Sequence, residues 1–156
     1  MTADDTIAAK IEGLSKAIGA SAVELSPDVN RLLDELEQST GHPGIVAGLY
    51  GLLDDNFLFD GPLFRFVHVA ERADTPTYVA ELLSVAPSLI RSAPKWASII
   101  LIRVLNHQPT RDELVRQLTR AAPHQKASMR QLMDAINAES PDFLARTTPV
   151  IVAAEV

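Results

Sequence analysis

One short loop combines acidic and aromatic side chains, and it is the stretch of this sequence best suited to contact another molecule. It places Asp54, Asp55 and Asp60 around Phe57 and Phe59. At protein interfaces a few buried aromatic anchors supply most of the binding energy, while charges set the approach rate and the choice of partner. The loop therefore predicts a partner-binding site. The alternative is that its two phenylalanines pack beneath the loop as a small extension of the core.

The segment after the loop extends the same surface. Pro62 suits the first turn of a helix, where its missing N–H costs nothing. Phe64, His68 and Glu71 follow at positions i, i+4 and i+7, which share one helix face. Because loop and helix are consecutive in the chain, we predict one partner-binding surface. Its residues are Asp54, Asp55, Phe57, Phe59, Asp60, Phe64, His68 and Glu71.

Motifs for catalysis or metal binding are missing. His68 and Glu71 are spaced like two ligands on one helical turn, but a helical di-iron site needs carboxylates from four helices and two Glu-x-x-His pairs. The chain has no cysteine, no Gly-x-Ser-x-Gly elbow and no Walker loop. We therefore expect no catalytic residue, metal ligand or cofactor. A helical enzyme whose site is assembled from distant residues is the remaining alternative.

Acidic residues are concentrated in the first half of the chain. Residues 1–76 carry 13 acids and 5 bases, whereas residues 77–156 carry 7 acids and 9 bases. The resulting charge of −8 favours a basic partner and disfavours nucleic acid, although ordinary solubility charge would look the same. A second candidate binding face in this half is the acidic side of a helix bearing Asp34, Glu35 and Glu37.

Basic residues between positions 111 and 130 form the opposite charge cluster. They are Arg111, Arg116, Arg120, Lys126 and Arg130. No aromatic residues alternate with them and no groove-reading element is recognisable, so we interpret them as a solvated face rather than a nucleic-acid site.

The segment from Pro94 to Asn106 predicts the central helix of the fold. Its apolar residues cover about half of the helix surface at 100° per residue. They are Trp96, Ala97, Ile100, Leu101, Val104 and Leu105. Arg103 reads as an anchor for a carboxylate of a neighbouring helix. The apolar run is far shorter than the roughly 20 residues of a membrane span, and no signal peptide is recognisable at the start, so we expect a cytoplasmic protein without a membrane partner.

Helical spacing recurs along most of the chain and predicts an all-α fold. Seven to nine helices with short turns would form an irregular antiparallel stack of the HEAT or armadillo kind. Pro87 is expected to kink or restart its helix. We expect one domain over residues 1–146, with a tail over 147–156 that has no helix signal and is either disordered or lies against the domain.

Several segments resemble the immunity-protein 30 family. The run Trp96–Asn106 is similar to that family's Trp…Leu-x-Arg-x-Leu-Asn signature. The run His42-Pro43-x-Ile45-Val46, the later Leu52-Leu53-Asp54-Asp55 and the aromatic helix Phe64–Glu71 are similar to it as well. The resemblance covers roughly residues 32–136.

This resemblance implies a small cytoplasmic helical protein that binds and neutralises a cognate bacterial toxin domain. Such toxins belong to contact-dependent growth inhibition or similar systems, and no cofactor or catalysis is implied. The matches at Trp96, Arg103 and Asn106 are interpreted as fold-determining. Because many toxin domains are basic nucleases, the acidic first half would complement one. The alternative is a HEAT-like adaptor that binds another protein partner.

Overall fold

The computed structural model describes residues 3–18, 26–39, 41–56 and 61–156. This described part contains nine α-helices and no strand, which confirms the predicted all-α fold and helix number. The helices are α1 (Ala3–Ala17), α2 (Pro27–Gln38), α3 (Ile45–Tyr50), α4 (Gly61–Ala70), α5 (Thr75–Ser92), α6 (Pro94–Asn106), α7 (Gln108–Leu118), α8 (Pro123–Glu139) and α9 (Leu144–Glu155), with a 3-10 turn at Pro141–Phe143 before α9. No helix among the described residues is long and apolar enough to cross a membrane.

The chain divides into two compact units, residues 1–81 and 82–156. In the first unit α2 contacts α1 and α4, and α3 contacts the same two helices. The start of α2 follows its sequence signal, since the Ser26 hydroxyl accepts the Val29 N–H at 3.3 Å and Pro27 occupies the first turn. The likeness to HEAT repeats and the single domain over 1–146 stay predictions.

Glycines allow α3 to begin abruptly and to pack against α1. Gly44 precedes the helix with φ +97°, a conformation that side chains bearing a Cβ rarely adopt. A Cβ added at Gly48 would lie 2.9 Å from Cγ1 of Ile11 on α1. Gly48 therefore allows α3 to pack closely against α1. The helix itself is short, starting at Ile45 and ending at Tyr50.

A carboxylate from α5 caps the start of α3. Oε1 of Glu81 accepts the backbone N–H groups of Gly44 at 3.1 Å and Ala47 at 3.0 Å. These N–H groups have no acceptor within the helix, and the negative charge also complements the positive end of the helix dipole.

We expect Glu81→Ala to lower the free energy of unfolding by about 1–2 kcal/mol, the usual cost of losing a side-chain cap. Urea denaturation followed by circular dichroism measures this. Glu81→Gln keeps an oxygen acceptor in place and is expected to lose less. Equal stability of the alanine variant and the wild type would show that the cap contributes nothing.

Helix α6 lies at the centre of the second unit, where it contacts α7, α8 and α9. The six apolar residues predicted to face inward are all buried, including Trp96 at 0% exposure. The prediction of a buried α6 face is therefore confirmed. On the other side Ile99 and Ile102 are half-buried and Arg103 is exposed. The helix is thus covered on one face rather than all round.

Helix α5 continues through Pro87. A kink or a restart was expected there, and the restart is wrong. Helix α5 is a single helix from Thr75 to Ser92. At its start Oδ2 of Asp74 accepts the Thr77 N–H at 3.1 Å, and the hydrogen bonds from Thr77 lower the pKa of Asp74. Proline removes one backbone hydrogen bond. Buried apolar residues on both sides of it, Leu83, Ala86 and Leu89, favour continuation.

Residues 147–155 are helical, although the sequence there carries no helix signal. They belong to α9, which contacts α8 and α7 and continues through Pro149. Thr147, Val150 and Ala153 recur every three residues and are all buried. The Thr147 hydroxyl bonds Oδ1 of Asn137 on α8 at 2.8 Å. Packing against α8 thus compensates for the cost of the proline. Helix propensity does not include such tertiary contacts, so it could not predict this helix.

Candidate partner-binding surface

Helix α4 has a buried inner face and a more exposed outer face, as the spacing of its apolar residues predicts. Leu63, Phe66 and Val67 are buried, each with 0% exposure. On the other side Phe64 is half-buried and His68 is exposed, and their rings lie 6.4 Å apart at an angle of 36°. An aromatic pair is thus accessible on the outer face of α4.

The ends of the predicted surface lie just outside α4. Glu71, immediately after the helix, is exposed, and Asp54 and Asp55, in the preceding loop, are half-buried. Oδ1 of Asp54 accepts the backbone N–H of Asn56 at 2.8 Å, a turn that orders the start of the loop. Phe57, Phe59 and Asp60 lie outside the described residues, so their role in binding or in the core stays a prediction.

Arginines of the same unit pair with the acidic residues of α2. Arg65 on α4 binds Oδ1 of Asp34 at 2.5 Å and Oε2 of Glu37 at 3.0 Å. Arg72 approaches Oε1 of Glu37 at 3.9 Å. These contacts neutralise the face that the sequence analysis named as a second binding candidate. They give it an internal role, the attachment of α2 to α4.

Glu35 is similarly engaged within the first unit. Its carboxylate lies 3.7 Å from Nζ of Lys10 on α1 and 3.5 Å from Arg31 on α2. The fifth base of this unit, Lys16, pairs with Glu12 at 3.5 Å. Every basic side chain of the unit therefore contacts a carboxylate of α1 or α2.

Comparison with known proteins places this architecture in a family. The family model described as Immunity protein 30 matches residues 24–114, which is more than half of the chain. The chain belongs to the immunity protein 30 family. No curated protein and no solved structure matches it.

The family match runs from just before α2 into α7. It includes α4 with the aromatic pair and α6 with Trp96, so the resemblance seen at Trp96–Asn106 is confirmed. The matched segment starts earlier and ends earlier than the sequence analysis expected. Residues 115–136 lie outside it, and so does α9.

In this family member most of the predicted basic face of the second unit has structural partners. Arg111 donates to the backbone oxygen of Leu105 at 3.0 Å, and Lys126 donates to the backbone oxygen of Val156 at 2.8 Å. Arg116 binds Glu113, and this contact lowers the pKa of Glu113 to about 2. These cations connect and terminate helices, which is a use that the sequence pattern alone does not reveal.

Arg130 connects two helices of the second unit. It binds Asp134 on its own helix, α8, and Glu155 on α9. Arg120 is exposed. Near the end of α6, Oδ1 of Asn106 accepts a hydrogen bond from Arg146 at 2.7 Å, so Asn106 links α6 to α9 rather than merely ending its helix.

Metal-binding geometry is not found in the described part of the chain. No group of three or more histidine or acidic side chains is close enough there to hold an ion. His68 on α4 and Glu71 just after it are not part of a group of three such side chains among the described residues.

Proposed function

We propose that this chain is an immunity protein that binds a cognate bacterial toxin domain and neutralises it by occlusion. Its membership of the immunity protein 30 family is the observation that supports this most strongly. Occlusion requires a complementary surface and no chemistry, so the proposed activity uses no catalytic residue and no cofactor. The toxin would belong to a contact-dependent growth inhibition system or a related one.

The α4 surface is the part of the molecule that we propose to face the toxin. We define the α4 surface as Asp54, Asp55, Phe64, His68 and Glu71, continued by the loop residues Phe57, Phe59 and Asp60. Phe64 is half-buried beside the exposed His68 ring. A partly supported aromatic ring loses little side-chain entropy when a partner covers it, which suits a binding hot spot.

Charge favours a basic toxin domain such as a nuclease. Residues 1–81 carry 14 acids and 5 bases, a net charge of −9. Each of the five bases pairs with a carboxylate of α1 or α2. The net negative charge of this unit therefore favours the approach of a basic partner. Such a field accelerates the approach of a basic partner and acts less at high salt. A nuclease acts on cytoplasmic nucleic acid, so we place the protein in the cytoplasm.

Complex formation tests this proposal. We expect the purified protein to bind its cognate toxin domain in a one-to-one complex, measured by isothermal titration calorimetry with a catalytically inactive toxin. Affinity is expected to fall as salt rises from about 50 to 500 mM, because screening shortens the range of surface charges. Lack of binding at any salt concentration would refute the proposed function.

A further inference from the structure

The outer face of α4 carries two aromatic rings whose faces are turned in similar directions. The Phe64 and His68 rings lie 6.4 Å apart, and their planes differ by 36°. Phe64 is half-buried and His68 is exposed. The face of an aromatic ring carries partial negative charge, so it attracts a cation placed within about 6 Å of the ring centre. The ring pair therefore suits a basic side chain as well as an apolar one.

The charge of the unit favours a cation over an apolar group at this ring pair. Glu71 is exposed and follows His68 by three residues, which is about one helical turn. Residues 1–81 carry 14 acids and 5 bases, a net charge of −9. A basic side chain stacked on Phe64 compensates for this charge when an interface closes. An apolar side chain would desolvate the same carboxylates without compensation.

We propose that the Phe64–His68 ring pair takes an arginine side chain of the toxin, with the guanidinium over the Phe64 ring. The inference rests on the proposed toxin binding, and it names the toxin side chain that meets the α4 surface. A planar guanidinium stacks on an aromatic face and still donates its N–H groups to a carboxylate. The chain contains such a contact of its own, because the Arg146 guanidinium lies 5.7 Å from the centre of the Phe143 ring.

His68 makes the proposed contact sensitive to pH. An imidazole group gains a proton, and with it a positive charge, in the range from about pH 8 to about pH 5. A protonated His68 repels the guanidinium stacked beside it. The arginines on either side of His68 in the sequence are engaged with α2, since Arg65 binds Asp34 and Glu37. Arg72 contacts Glu37 as well. Helix α3, which also contacts α4, has no charged side chain.

Fluorinated phenylalanines at position 64 test the contact with a cation. Fluorine withdraws electrons from the ring face and hardly changes the shape of the side chain, so it weakens the attraction of a cation. Affinity for the catalytically inactive cognate toxin domain is expected to fall stepwise from phenylalanine to the difluoro and trifluoro forms, by about threefold or more in total. The same series at Phe143, a half-buried ring outside the α4 surface, is the control and is expected to leave affinity unchanged.

A pH series tests the part played by His68. Between about pH 7.5 and about pH 5.5 the wild type is expected to lose about fivefold more affinity than His68→Phe, the effect of a like charge a few ångströms away in water. His124→Phe makes the same substitution at an exposed histidine of α8 and is expected to follow the wild type. Comparison of the variants separates His68 from the titrating groups of the toxin.

The outcomes distinguish this inference from the proposed function. Toxin binding that is equal or tighter with the fluorinated rings would overturn the inference alone, because fluorination makes the ring no less apolar and an apolar contact would keep its strength. Equal pH dependence of the wild type and His68→Phe would overturn the part assigned to His68. A wild type that binds no toxin at any pH would refute the proposed function, and this inference with it.

Discussion

Trp96→Ala is expected to lower the free energy of unfolding by about 3–5 kcal/mol. Trp96 is one of the largest fully buried side chains, with 0% exposure on the covered face of α6, which contacts α7, α8 and α9. Its removal leaves a cavity that this close-packed unit fills only partly. Because domains are stable by about 5–15 kcal/mol, the loss is a large share of the total. Chemical denaturation followed by circular dichroism measures it.

Two further variants separate packing from other effects of this substitution. Trp96→Phe keeps an aromatic ring in the site and is expected to lose less stability than Trp96→Ala. Arg91→Ala changes an exposed residue shortly before α6 and is expected to change stability by less than about 0.5 kcal/mol. A melting temperature unchanged by Trp96→Ala would contradict the central position of α6.

The second large effect concerns toxin affinity. Phe64→Ala is expected to weaken toxin binding by about 2 kcal/mol or more, which is about 30-fold, if Phe64 is a hot spot as proposed. Asp55→Lys reverses a charge in the adjoining loop and is expected to slow association and to reduce its salt dependence. Surface plasmon resonance at several salt concentrations measures both quantities.

Matched variants keep this prediction specific to the α4 surface. Glu139→Lys makes the same change in charge at an exposed position of α8 and is expected to leave affinity nearly unchanged. Asp34→Lys breaks the ion pair with Arg65 and is expected to affect stability more than binding. Thermal unfolding of each variant reports whether the fold is intact. If the Phe64 and Asp55 variants both bind like the wild type, the toxin contacts a different surface.

Local patterns in the sequence were sufficient for most of the helices and for the buried face of α6. The six inward residues of α6 follow from the 3.6-residue period alone. The start of α2 follows from Ser26 and Pro27, whose effects act within one helical turn. The outward position of Phe64 and His68 follows in the same way from their spacing on α4.

Contacts between residues that are distant in the chain could not be predicted in this way. The hydroxyls of Tyr50 and Tyr78 form a buried hydrogen bond of 2.6 Å across 28 residues, and neither residue stands out in the sequence. Arg65 turns the acidic side of α2 from an apparent binding face into an internal ion pair. Such pairings depend on which helices become neighbours, which periodicity does not specify.

Helix α9 is a second feature that depends on contacts between distant residues and could not be predicted from local sequence. Pro149 and the small residues around it argue against a helix, but contacts with α8 and α7 stabilise one. The recurrence of Thr147, Val150 and Ala153 every three residues was the available signal. It is weak because threonine and alanine are common on exposed helix faces too.

Growth rescue tests the central claim most directly, because it measures neutralisation itself. Cells that express the active cognate toxin domain are expected to grow when they also produce the wild-type protein. They are expected to stop growing with the empty vector, and to grow poorly with the Asp55→Lys/Phe64→Ala variant at equal protein level. Failure of the wild type to restore growth would contradict the proposed immunity function. Full rescue by the double variant would contradict the α4 surface as the site of toxin binding.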